Sequence, residues 1–310
     1  MSSVNHLHYS ILKTLAYFDI VRFPLTQEEL FRYLWQPPQV TYEQLVMQLP
    51  GLIQNKSIAI KWGYYFLPHQ EETVARRRSS TVPTELKLRR ARFAMRLIGW
   101  VPFLKAVFVS SSVAAQTAHE HSDIDFFIIT APGRIWLVRF FVNLTLRICG
   151  IRIYGTQKKD RICVCFFVDS DHLNLSPWRI SSDDIHFMYW LHQMMPIYDP
   201  ESVYKKFIEA NQWTQEFLPH ISAQFFLEGT KRLCVKNFFQ KLLSGLVGDF
   251  LEKLTKKIQW FKLKKSLKEK AGLDTKEVVT AEGVLKFHEH DTREKYREEW
   301  LQRCREFFGE

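Results

Sequence analysis

The sequence predicts an α+β or α/β chain built on a central mixed sheet, with a small helical unit before it and a helical region after it. Three observations carry that expectation. Residues 104–130 and 161–169 alternate apolar strands with a short helix, residues 1–75 show three helical periods and then two short apolar runs, and from residue 181 apolar positions recur mostly at helical spacing. A length of 310 residues suits two or three domains, divided here as 1–78, 79–180 and 181–310. An apolar fraction of 46% with 25% charged residues excludes wholesale disorder, and 12 Gly with 12 Pro exclude collagenous and low-complexity chains.

In the first unit, residues 8–20 have helical apolar spacing. Thr26 followed by Glu29 is a capping-box pair that opens a second helix, and Thr41 opens a third, disturbed at Pro50-Gly51. Two apolar runs about Trp62-Gly63 then read as a β-hairpin. Three helices and a hairpin make a winged-helix-like unit. Such units bind DNA or serve only to pack on a neighbour, and the small charge excess of residues 1–80, eight basic against six acidic, gives nucleic acid weak support.

Arg76, Arg77 and Arg78 mark the expected boundary. Arg89, Arg90, Arg92 and Arg96 follow on a helix whose apolar face is Leu88, Phe93, Leu97 and Ile98. A solvated helix face and a basic rim beside a phosphate site fit these arginines equally. The net charge is +10, and residues 81–180 carry most of it, with 14 basic against 7 acidic side chains. An anionic partner is therefore expected there.

The five cysteines, Cys149, Cys163, Cys165, Cys234 and Cys304, are odd in number and lack zinc-knuckle spacing, which points to free thiols in a reducing, cytoplasmic compartment. No signal core is evident at the N-terminus. The longest apolar stretch, Trp136 to Cys149, is interrupted by Arg139 and Arg147, so no transmembrane segment is expected.

The chemistry concentrates between Val109 and Ile129. Asp123 and Asp125 are two apart at the start of an apolar strand, so both carboxylates face one side. Two like charges held together call for cations, and hard oxygen donors suit Mg²⁺ or Mn²⁺. Upstream, Ser111-Ser112 ends one strand and opens a helix, where free N–H groups can grip phosphate. His119 and His121 lie in the intervening loop and read best as exposed loop residues.

This strand, Ser-Ser turn, helix, Ser122-Asp123-Ile124-Asp125 and strand run resembles the nucleotidyltransferases of the DNA polymerase β superfamily, in phase with the minimal nucleotidyltransferases. The resemblance covers roughly residues 104–170. Gly133 to Arg139, Met195-Pro196 and Phe287-His288 suggest a narrower bacterial branch. The resemblance implies a nucleotidyltransferase-fold sheet that transfers NMP from a nucleoside triphosphate (NTP) to an acceptor hydroxyl. It places Asp123 and Asp125 on the metal and Ser111 and Ser112 on the phosphates. The acceptor is left open among a protein side chain, a small molecule and a nucleic acid end.

Two departures stand out. The family has Gly where this chain has Ser111, and the strand at residues 161–169 has no acid in its middle. Asp169, at the end of that strand, is the expected third carboxylate; a strand-terminating turn aspartate is the competing reading. Arg134 and Arg139 are the expected anion contacts because they follow the catalytic strand. If no third acid reaches the pair, the alternative is a catalytically degenerate protein that binds nucleotide or DNA as a regulatory module.

Residues 238–270 carry nine lysines against three acids. Phe238, Leu242, Leu246, Phe250, Leu254 and Ile258 form one helical stripe, expected to dock on the catalytic domain with a solvated basic face. Nucleic acid and an anionic membrane surface are the sharper alternatives.

Overall fold

A computed structural model describes residues 3–221, 234–263, 265–271, 276–287 and 291–308. Lys264 and His288 lie outside the described residues, as does the side chain of Cys234. Three helices open the chain: α1 (Ser3–Ile20), α2 (Gln27–Arg32) and α3 (Tyr42–Gln54). Thr26 caps α2: its hydroxyl accepts the Glu29 N–H at 3.3 Å, and the Glu29 carboxylate accepts the Thr26 N–H at 2.8 Å. Thr41 and Gln44 repeat the device at α3, which runs on through Pro50 without the expected disturbance. The hairpin forms from β1 (Ala59–Lys61) and β2 (Tyr64–Phe66), with Lys61 opposite Tyr64. Trp62 and Gly63 turn it with φ of 53° and 80°, the left-handed pair of a two-residue hairpin loop.

The boundary expected at residue 78 falls inside a helix. α4 (Glu72–Ile98) runs unbroken for 27 residues and carries Pro83 within it. Arg77 ties its start to the first unit by donating to both oxygens of Glu29, at 2.5 and 2.7 Å.

The central block follows the predicted order: β3 (Leu104–Ser110), α5 (Ser111–Ala114), β4 (Ile124–Thr130), α6 (Ile135–Ile148) and β5 (Ile162–Asp169). Next come α7 (Ile185–Gln193), β6 (Met195–Tyr198), α8 (Val203–Ala210), α9 (Cys234–Leu242), α10 (Gly245–Lys262), α11 (Lys265–Ala271), β7 (Val278–Ala281), β8 (Val284–Phe287) and α12 (Arg293–Phe308). The region expected to be mostly helical thus gives three strands to one six-stranded sheet of order β6-β3-β4-β5-β8-β7. β4 and β5 are parallel and the other pairs antiparallel.

Both sheet faces are covered, so its strands are apolar on both sides. Ala91, Met95 and Ile98 of α4 and Trp136, Val138 and Val142 of α6 pack on one face. Phe187 and Leu191 of α7 and Tyr204 and Phe207 of α8 pack on the other. A third core joins α1–α3 to Met188 and Tyr189 of α7 and to Trp300 and Cys304 of α12. The first and last thirds of the chain therefore share a core.

The apolar stripe of residues 238–258 does not dock. α10 lies on α6 by its opposite face, where Gly248 and Thr255 are buried and the Gln259 amide donates to the Trp136 carbonyl at 2.8 Å. The Glu252 carboxylate accepts the Trp136 and Leu137 N–H groups at 2.9 and 2.8 Å, filling the free donors at the start of α6. Among the described residues no helix is long and apolar enough to cross a membrane.

Candidate functional site

The antiparallel register sets Ser110, the last residue of β3, opposite Asp125 on β4. The parallel register sets Cys163 of β5 opposite the same aspartate. Asp123 directly precedes β4, so the period of two turns both carboxylates to one side. Asp123, Asp125 and Cys163 each offer a ligand atom, and the three atoms lie within 4.8 Å of one another. All three residues are half-buried.

Burial, and then the neighbouring Asp123 carboxylate, push the Asp125 carboxyl up to about 7; hydrogen bonds from Cys163 and from the Ser111 hydroxyl act against that rise. The Cys163 and Cys165 sulfurs are 2.7 Å apart. That contact, followed by burial, holds the Cys163 thiol well above its ordinary range. The carboxylate pair is thus costly to ionise fully without a cation beside it. Two carboxylates suit a hard divalent cation, whereas the third donor is a thiol, a softer ligand than the oxygen such ions prefer.

The chain leaves β3 through Ser111, whose φ of 54° lies in the left-handed region. That conformation carries Ser111 and Ser112 to the wall of a cavity of 490 Å³, shared with His119, Arg22, Arg76 and Tyr296. Its size falls in the range of small-molecule sites. The loop leading to Asp123 is held by Lys87, a buried lysine of α4. Its ammonium donates to the carbonyl of Ser122 at 2.8 Å, the carbonyl of Glu120 at 3.1 Å and the Asp160 carboxylate at 2.7 Å. Lys87 stands among the helix arginines in the sequence. Its spacing from Ala91, Ala94 and Ile98 places it on the buried face and was the available signal.

Asp169 is not brought to the pair. It ends β5 opposite Thr130, six residues beyond Cys163, or about 20 Å along a strand. There it is buried, accepts the Asp171 N–H at 3.1 Å and meets His172 Nδ1 at 2.6 Å. The turn-aspartate reading describes it. The side chain that does stand beside Asp125 on β5 is Cys163, one of the cysteines whose spacing points to free thiols.

Arg134 and Arg139 also lie away from the aspartates. Asp123 and Asp125 open β4, and both arginines follow its far end. Arg134 pairs with Asp249 of α10 at 2.6 Å. Arg139 donates to Gln259 at 2.6 Å and lies over the Phe287 ring at 4.6 Å, and burial draws its guanidinium down to about 10. Both residues fasten α10 to α6. His119 lines the cavity; His121 faces a separate basic hollow with Arg90, Lys158 and Arg161. No family model, curated protein or solved structure matches this chain.

Proposed function

We propose that the chain is a nucleotidyltransferase of the polymerase β type, moving NMP from an NTP to an acceptor hydroxyl. The observation that carries this reading is that Ser111, which lines the cavity together with Ser112, hydrogen-bonds Asp125 of the Asp123–Asp125 pair. The antiparallel β3–β4 pair followed by a parallel β5 suits such a fold. The N-terminal helices and hairpin suit a winged-helix-like unit.

Mg²⁺ or Mn²⁺ held by Asp123 and Asp125 would supply charge neutralisation at the reacting phosphate. The chain's own residues do the rest. Ser111 and Ser112 line the cavity where the triphosphate would lie, and Arg22 and Arg76 of the same lining supply positive charge. Lys87 is a positioning residue: it fixes the loop from which Asp123 projects. The acceptor is a protein side chain, a small molecule or a nucleic acid end.

Cys163 favours a second reading. A thiol that keeps its proton does not serve as a general base in the place of a third carboxylate. In that case the chain binds nucleotide as a regulatory module without turning it over. The test pairs calorimetry of NTP with Mn²⁺ and label transfer from each radiolabelled NTP into a cell lysate. Binding that is lost in the Asp123→Asn/Asp125→Asn double variant, together with labelled product, supports transfer. The same binding without product supports the second reading. Absence of binding by the unaltered chain overturns both.

A further inference from the structure

Among the described residues, α9 and α10 carry the largest share of the exposed apolar side chains. Leu246 is 86% exposed, Phe261 84%, Phe238 65% and Phe250 65%, with Leu242 and Val247 beside them at more than half. The two helices together therefore present six large apolar side chains outward. The residues that a surface helix ordinarily turns to water, Glu252 and Gln259, are here turned inward to serve α6.

The charge around the stripe has one sign. Lys241, Lys253, Lys256, Lys257 and Lys262 are exposed along it, and none forms an ion pair among the described residues. The two acids of this stretch are occupied: Asp249 pairs with Arg134, and Glu252 caps α6. What remains outward is hydrocarbon with a rim of free ammonium groups.

The geometry points to the surface of an anionic lipid bilayer as the occupant of this face. Hydrocarbon at the centre would enter the acyl boundary while the lysines meet lipid phosphates, as an interfacial amphipathic helix does. A second copy of the chain fits less well, because a two-fold contact would set lysine against lysine. A nucleic acid fits less well too, because its phosphates offer nothing to Leu246, Phe250 or Phe261. α10 stays fastened to α6 throughout and lies on the surface without crossing it.

The test is co-sedimentation of the full chain with phosphatidylglycerol-containing vesicles and with neutral phosphatidylcholine vesicles, at low and high salt. The chain is expected to pellet with the anionic vesicles at least tenfold more strongly than with the neutral ones. Lys253→Glu/Lys256→Glu/Lys257→Glu should weaken that binding on the order of a hundredfold. Leu246→Ser/Phe250→Ser should abolish it, and both variants alter exposed side chains that the cores do not use. Equal recovery with both vesicle types, or binding that survives both variants, overturns the inference. So does a solution dimer that Leu246→Ser/Phe250→Ser dissociates, since a second copy would then cover the face.

Discussion

Ser111 stands in the left-handed region, with φ of 54°, where a side chain crowds its own backbone. That conformation costs a residue with a β-carbon about 1–2 kcal/mol. Glycine escapes the cost but gives up about 0.5–1 kcal/mol of additional chain entropy on folding. Ser111→Gly and Ser111→Ala both lose the hydroxyl that reaches Asp125, so that loss cancels when the two variants are compared. The difference that remains is the strain less the entropy. Ser111→Gly should therefore be the more stable of the two by roughly 0.5–1 kcal/mol. At an ordinary helix position the order is reversed by about the same amount. Urea unfolding with a common slope reads the difference as a shift in midpoint. Ser111→Ala at or above Ser111→Gly would refute the strained backbone at the turn. The same pair of variants probes nucleotide binding. Without its side chain the turn can approach a phosphate more closely, and a charge-assisted contact is worth about 1.5–3 kcal/mol. Ser111→Gly should tighten NTP binding; weaker binding would show that the hydroxyl itself is a ligand.

Lys87→Met should cost about 2 kcal/mol, because a buried ammonium gives up its bonds to the Glu120 and Ser122 carbonyls and to Asp160, which keeps Arg90 as a partner; a loss under about 1 kcal/mol by urea unfolding would remove Lys87 as the anchor of the Asp123 loop. Burial draws His186 and His192 down from 6.5 to about 4, so both are neutral when folded and take up protons near pH 6.5 when unfolded. Their contribution to stability is complete above pH 6.5 and is lost as pH falls toward 4. His192→Gln should flatten that slope relative to the unaltered chain, and parallel midpoint-against-pH curves would contradict it. Cys163→Asp would complete a set of three carboxylates and should tighten Mn²⁺ binding in calorimetry, whereas Cys165→Asp should not; equal effects would detach Cys163 from the cation site.

Signals confined to a few neighbouring residues were legible in the sequence. The Thr26–Glu29 capping box, the Trp62-Gly63 turn and the alternation that pairs Asp123 with Asp125 all took their expected form. What required pairing across the chain was not. β6 is four residues long and contains Pro196, while β7 and β8 are four residues each, too short to stand out from a helical surround. Asp169 was expected near the pair because it ends the neighbouring strand. In a parallel pair, however, the end of β5 lies beside the end of β4, and only its beginning meets Asp125. α10 misled for a different reason. Its apolar stripe looked like the docking face, yet the helix is seated by Glu252, Gln259, Thr255 and Gly248, which satisfy hydrogen bonds and allow close approach to α6. Hydrophobic periodicity does not register a contact made by small and polar residues.

The seam between α1 and α12 has a consequence for how this chain is made. The Trp300 indole donates to the Lys13 carbonyl at 2.9 Å, and Arg303 pairs with Asp19. On the ribosome, α1 emerges some 280 residues ahead of the helix that closes its core. Until α12 arrives, the apolar surfaces of Trp35 and Leu15 that it helps to shield have no native cover from that side. Contacts of such long separation form slowly, because the loop between them must be closed first. The core of the helical unit that leads the sequence is thus completed only once α12 has been made.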